Sequence, residues 1–270
     1  MTESIRVELH CQSSMSDGDL TPAHVARILA DAGVVWAALT DHNTVSGQDS
    51  FRQALQRRGV HVVTGLEIDA RSPQGPMHLL AYGFDQDDQE LANALRSLRH
   101  PLLSSARRLT ARALALLERP SRSPEGPSPP RCVSRAPKSP DTAEAIRLVH
   151  NAGGLVFLAH PLASLRTMER LEAALDWLQP QGLDGIEAFH KPYPDETQRL
   201  LAALAAQRDL LVVAGSDFHG PHHTDGTSPG IDIPLADWRR LAESLRLGPD
   251  IARRANVSDA TVLSEASRGR

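Results

Sequence analysis

Histidine, aspartate and glutamate recur at the ends of apolar runs along the first 220 residues of this chain. The run at 5–10 ends in His10, and Asp17 follows in the next segment. The run at 34–42 ends in Asp41 and His42, and the run at 60–68 carries Glu67 near its end. Later runs end in His160 (154–160), in Glu187 and His190 (184–190), and in Asp217 and His219 (210–219). One further run, 77–84, carries its histidine, His78, near the start. Imidazole and carboxylate together suit Zn²⁺, Mn²⁺ or Fe²⁺, and a carboxylate can be shared by neighbouring ions. Such clusters hydrolyse esters by acidifying a bound water and by holding the attacking and leaving oxygens. The set His10, Asp17, His42, Glu67, His78, His160, His190, Asp217 and His219 exceeds what one tetrahedral ion needs, so a centre of two or three ions is expected. Asp41, beside His42, could equally serve to orient a ligand.

Such a set is useful only if the fold brings it together. The seven apolar runs are short and β-branched, and amphipathic stretches separate them, which is the pattern of repeated β-α units around a mostly parallel sheet. Thr21 and Pro22 open one helix, at 22–33, in the order a helix start prefers. Further helices are predicted at 46–59, 143–154, 168–182 and 195–209. Runs three and four are joined only by ARSPQGP, too short for a crossover, so they are read as an antiparallel hairpin. In a parallel barrel the C-terminal strand ends gather on one face. A strand running the other way starts at that face, which is where His78 belongs.

Two regions break the alternation. Residues 85–118 read as a long helix interrupted at Pro101, and residues 119–141 are rich in Pro, Ser and Arg, as in a flexible excursion. The last residues, from about 248, read as a loose tail.

The chain has 270 residues, with 41% hydrophobic and 23% charged content, and reads as a soluble globular domain able to bury a core without disulfides. Its formal charge of −4 and aromatic content of 4% argue against an extended nucleic-acid surface. Neither a signal peptide nor a membrane-spanning run is evident, and the two cysteines suggest no disulfide framework, so a cytoplasmic location is expected. His24, His61, His100 and His150 stand outside the strand-end pattern and read as ordinary surface or core residues.

The motifs LHCQSSMSDG, LTDHNTVSG, GLEI, HLLAYG, LAHP and GSDFHG, in this order over residues 7–220, resemble the polymerase and histidinol phosphatase (PHP) superfamily. The resemblance implies a distorted (β/α)7 barrel spanning residues 1–270 as a single domain, with a shortened insertion at about 85–141. It implies a metal cluster in which His10, Glu67 and Asp217 hold one ion. Glu67 would bridge to a second ion held by His78 and His160, and Asp17, His42 and His219 would hold a third. The implied activity is phosphoester hydrolysis by a metal-bound hydroxide on a small nucleotide-like substrate: a nucleoside 3′,5′-bisphosphate, a nucleoside monophosphate or a short oligonucleotide. The family's first motif is usually His-x-His, whereas here Gln12 stands in place of the second histidine. Relatives often carry a histidine about three positions after the sixth strand, and both His190 and Tyr193 are open for that place. Two other readings stand beside phosphoester hydrolysis. One is a degenerate domain that binds a phosphorylated ligand or partner without turnover, and the other is amide hydrolysis in the manner of amidohydrolase barrels.

Overall fold

The computed structural model describes residues 3–98, 139–221 and 228–247. Along the chain it forms β1 (Ser4–Glu8), α1 (Pro22–Asp31), β2 (Trp36–Ala37), α2 (Gln48–Gln56), β3 (His61–Val62), β4 (Gly65–Ser72), β5 (Gly75–Tyr82) and α3 (Gln89–Leu98). After the gap come α4 (Thr142–Asn151), β6 (Leu155–Leu158), α5 (Pro161–Leu165), α6 (Met168–Leu178), β7 (Gly185–His190), α7 (Asp195–Gln207), β8 (Leu211–Gly215), β9 (Ile231–Pro234) and α8 (Leu235–Ser244). Local chemistry sets several helix starts. Thr21 accepts a hydrogen bond from His24 N with Pro22 behind it, Asp141 accepts from Ala143 N, and Thr167 accepts from Arg170 N. Each cap satisfies an end N–H that the helix itself cannot, which is worth about 1 kcal/mol.

The strands form a mixed α/β fold with two sheets: β3-β2-β1-β9, and β4-β5-β6-β7-β8. The expected hairpin is present, with β4 and β5 antiparallel and closed at Ser72 and Gly75. β6, β7 and β8 run parallel, as do β1, β2 and β3. One closed seven-stranded ladder is not formed among the described residues, and the mixed α/β fold is the part of the expectation that the structure shows. The stretch 60–68, expected as one strand, is divided: β3 pairs with β2 in the first sheet, whereas β4 pairs with β5 in the second. Hydrophobic alternation marks a strand but says nothing about its partner, so a change of sheet within a run leaves no signature. The run 34–42 yields only Trp36–Ala37 as ladder, because its later residues bond one at a time to different neighbours. Thr40 N donates to Cys11 O, and Asn43 N donates to Glu67 O. β9 and α8 were not read from the sequence. Of the long helix expected at 85–118, α3 is observed. Residues 85–88 form a turn before it, and 99–118, like most of the Pro-rich stretch and the tail, lie outside the described residues.

Isolated bridges join the two sheets at two seams. Cys11 bridges Phe218 beside a bond from Leu9 N to Ala214 O (3.1 Å), and His42 bridges Glu67. Both seams lie at strand ends that carry candidate residues. The first needs close approach: a Cβ on Gly215 would stand 2.3 Å from His10 Cβ, so only glycine fits there. The main core draws on both sheets, and a smaller cluster under α1 and α2 includes Leu29, Leu39, Phe51 and Phe218. No helix among the described residues is long and apolar enough to cross a membrane.

Glu8, fully buried at the end of β1, ties three segments together. Its Oε1 accepts from His10 N (3.2 Å) and Ser216 N (2.9 Å), and its Oε2 accepts from Ser216 Oγ (2.5 Å) and Gly230 N (2.7 Å). Burial pushes its carboxyl above the usual range, and these four bonds work against that push. Removing the carboxylate strands buried donors that cost about 1–3 kcal/mol each. Glu8→Ala is therefore expected to lower unfolding free energy by about 3 kcal/mol or more in urea titration. A loss under about 1 kcal/mol would show that these bonds do not hold the seam.

Candidate metal centre

The centre is built around Glu67, whose side chain is 1% exposed. Its two oxygens face different partners. Oε1 meets His78 Nδ1 at 2.9 Å and His160 Nε2 at 3.3 Å, and those two ring nitrogens are 3.2 Å apart. Oε2 meets His10 Nε2 at 3.1 Å, His42 Nε2 at 3.3 Å and the side-chain amide of Gln12 at 2.5 Å. His10 Nε2 also lies 3.1 Å from Asp217 Oδ1.

These separations are informative. Bonds of about 2.1 Å set donors about 3.0 Å apart in an octahedron and about 3.4 Å apart in a tetrahedron. The three contacts among Glu67 Oε1, His78 Nδ1 and His160 Nε2 fall in or beside that range. Proton counting at His10 agrees. Ionised carboxylates only accept, so His10 Nδ1–H donates to Glu187 Oε1 (2.9 Å). A neutral ring then turns a lone pair on Nε2 towards two further carboxylate oxygens. Three acceptors converge there, and only a proton or a cation can reconcile them. The donor set therefore fits divalent metal.

The remaining expected residues fall around this core. His219 Nδ1 donates to the Asp217 carbonyl (2.7 Å), which leaves Nε2 facing Asp17 Oδ1 at 3.4 Å. That Asp17 oxygen is buried without a hydrogen-bond partner among the described residues, as are Nδ1 of His160 and Nδ1 of His190. His190 faces Glu187 Oε2 at 3.4 Å rather than Glu67. Of the two residues open for the position after β7, His190 is at the centre. Tyr193 is not: its hydroxyl accepts from Leu162 N (2.9 Å) and Ala163 N (3.0 Å) at the start of α5. Asp41 is buried and accepts from Ser13 N, Ser13 Oγ and Ser16 Oγ, all at 2.7 Å, so it braces the first loop. His61 stacks on Trp36, and His150 pairs with Asp184, both apart from this group.

Two participants were not among the expected ligands. Glu187, within β7, accepts from His10 Nδ1 and from His160 N (2.6 Å), so one buried carboxylate orients two candidate ligands. The sequence placed it near a strand end, whereas it lies inside β7, and its role was not visible. Asp69 on β4 accepts from His42 Nδ1 (2.8 Å). Its signal was the alternation of a strand, which puts residues two apart on one face. Backbone strain also gathers here. Asn43 (φ 52), His160 (φ 24) and Asp217 (φ 54) are left-handed non-glycine residues at strand ends, a costly conformation that clusters at functional sites.

The charges are strongly coupled. Burial would raise the Glu67 carboxyl, but His42 and His10 outweigh it and hold it well below the usual range. Burial would raise Asp17 too, yet the close His219 ring and the charge of His42 bring it down to about 2. Burial opposes the charge on His42, and Glu67 and Asp69 overcome it, raising the ring to about 10. His10 is raised likewise, with Glu187, Asp217 and Glu67 outweighing burial.

Several known proteins resemble this chain. Residues 8–175 match the family model for the PHP domain. A 5′-3′ exoribonuclease from Haemophilus influenzae is 26% identical over 248 residues, covering 80% of this chain and 90% of the relative. A 3′,5′-nucleoside bisphosphate phosphatase from Chromobacterium violaceum is 26% identical over 278 residues, covering 87% of this chain and 96% of the relative. A solved structure of an amidohydrolase from Chromobacterium violaceum, with bound sulfate and no metal, superposes with a TM-score of 0.68 at 24% identity. It covers 88% of this chain and 96% of that one, and at this identity the likeness concerns the fold.

Raised imidazoles carry a proton at neutral pH in the metal-free protein, whereas a metal ligand must be neutral. Metal loading is thus expected to release protons, and apparent affinity to climb as pH rises from about 6 to about 9. Calorimetry at pH 7 in buffers of different protonation heat reads this release. Loading with no proton release would contradict the charge state derived for His10 and His42.

Proposed function

This chain belongs to the PHP domain family, and on that premise we propose that it is a metal-dependent phosphoesterase acting on a small nucleotide-like phosphomonoester or phosphodiester. One observation carries the reading: buried Glu67 turns each carboxylate oxygen to a different set of donors, as a carboxylate shared between two ions must. We assign His10, Glu67 and Asp217 to one ion, and Glu67, His78 and His160 to a second. Asp17, His42 and His219 would hold a third, and His190 acts beside Glu187 at the edge of the group. Zn²⁺, Mn²⁺ and Fe²⁺ all suit this mixture of nitrogen and oxygen. The two seams support the further inference that the sheets together enclose the site as a distorted barrel.

Divalent ions, when bound, supply Lewis acidity that acidifies water and offsets phosphoryl charge. The protein's own part is to hold donors in place and to limit water. Glu187 fixes the His10 ring through Nδ1, and the strand ends fix the backbone around His160 and Asp217. Asp17, Asp69 and Asp217 remain partly exposed, so the open side of the cluster is where a phosphoester would enter. Relatives named for nucleoside bisphosphate and RNA substrates support a nucleotide-like substrate.

A second reading, binding without turnover, has Gln12 behind it. Its amide takes the place of a second imidazole against Glu67 and meets Ser16 Oγ at 2.9 Å on its other side. An amide oxygen is a weaker ligand for these ions than an imidazole nitrogen. Elemental analysis and phosphate release are to be measured on one preparation across a panel of nucleoside bisphosphates, monophosphates and short oligonucleotides. Turnover is expected with Mn²⁺, Zn²⁺ or Fe²⁺, and Glu67→Gln or Asp217→Asn should lower it by on the order of 100-fold or more. A fully loaded centre without turnover on any phosphoester would favour the binding reading. A Gln12→His variant that then gained both an ion and activity would settle which residue had been limiting.

A further inference from the structure

We infer that Asp69 is a positioning residue that sets the ring orientation and tautomer of His42 through a hydrogen bond and biases those of His78, a histidine serving a different ion, through its charge. The inference rests on the reading of those histidines as ligands, and no ligand role is assigned to Asp69 itself.

Asp69 lies two residues beyond Glu67 on β4, so strand alternation turns both side chains to the same face. Glu67 is at the bottom of the group, and Asp69 is at its rim, with 42% side-chain exposure. A single oxygen, Asp69 Oδ1, lies 2.8 Å from His42 Nδ1 and 3.6 Å from His78 Nε2. The opposite nitrogens of the same rings, His42 Nε2 and His78 Nδ1, face Glu67 Oε2 at 3.3 Å and Glu67 Oε1 at 2.9 Å. The rings stand edge to face, 4.9 Å between centroids.

An ionised carboxylate only accepts, so a neutral ring beside it places its proton on the facing nitrogen. His42 then carries its proton on Nδ1 and presents a lone pair from Nε2. His78 Nε2 stands 3.6 Å from the same oxygen, beyond hydrogen-bond length, so the Asp69 charge favours a proton on Nε2 and a lone pair on Nδ1 without fixing them. One carboxylate oxygen therefore selects the tautomer of His42 by a hydrogen bond and favours the opposite one in His78 by charge alone, with both lone pairs inward. Without it either ring is free to turn its N–H towards Glu67, which would present a donor where a lone pair is needed. Carboxylates behind ligating histidines act in this way.

Asp69 is itself held from two sides. Asn43 Nδ2 donates to Asp69 Oδ2 (2.7 Å), and Asp69 N donates to Asn43 Oδ1 (3.1 Å). Asn43 adopts the left-handed backbone that asparagine tolerates better than most residues. Asp69 also faces His78 across the β4–β5 ladder, so backbone pairing sets that distance.

The test compares the parent protein with Asp69→Ala and Asp69→Asn. Zn²⁺ affinity is measured by competition with a chelator, and ring tautomers by ¹⁵N NMR of the Zn²⁺-loaded protein. Asp69→Ala is expected to weaken the ions assigned to His42 and His78 by about 10–100-fold and to leave the ion assigned to His10 and Asp217 unchanged. His42 should change from one tautomer to a mixture. Asp69→Asn, which keeps one acceptor oxygen, should fall between, and it carries the test if the alanine variant does not fold. Affinities within about twofold of the parent with unchanged tautomers would overturn the inference. So would loss of one whole ion with both rings unchanged, which would make Asp69 a ligand. Neither readout needs turnover, so a protein that hydrolyses no phosphoester still decides the role of Asp69.

Discussion

A carboxylate with 1% of its surface exposed stays ionised inside a protein only if positive charge or hydrogen-bond donors surround it. Glu67 meets this requirement with four ring nitrogens and one amide, supplied by β5 and by segments following β1, β2 and β6. The desolvation cost of an isolated buried carboxylate is several kcal/mol, comparable with the whole net stability of a domain. The fold is therefore committed to assembling this cluster. The same assembly converges so many lone pairs that a cation becomes its natural completion.

The rest of the structure reads as support for that cluster. Glu187 fixes His10 and the backbone at His160, Glu8 ties β1 to the segment after β8 and to Gly230, and Asp41 braces the first loop through Ser13 and Ser16. None of these carboxylates meets Glu67, yet each limits how its neighbours can move. Such outer supports matter because metal donors must be held to within a fraction of an ångström. The left-handed residues Asn43, His160 and Asp217 carry the local cost of turning side chains inward as strands end.

The two seams explain why the site lies where it does. A sheet interior has every backbone group paired along a ladder, whereas the seams are made of single bridges, at Cys11 with Phe218 and at His42 with Glu67. Strand ends that have left their ladders can turn their side chains together. Gly215 allows this at one seam by leaving room for His10.

The sequence by itself named candidate residues whose side chains the structure brings near one another. Strand-end positions made His10, Asp17, His42, Glu67, His160, His190, Asp217 and His219 candidates, and the start of an antiparallel run made His78 one, because a strand's ends are marked locally by apolar alternation and turn residues. The hairpin and most helices were legible for the same reason. Only the tertiary structure decided which atoms face each other. The division of 60–68 between two sheets, the pairing of β9, the role of Glu187 behind His10 and that of Asp69 behind His42 all depend on contacts between separate segments. The Glu187 contact to His10 spans 177 positions. Periodicity records which face of a strand a side chain takes. It does not record what stands opposite, because that is set by how the sheets pack and where their ladders end.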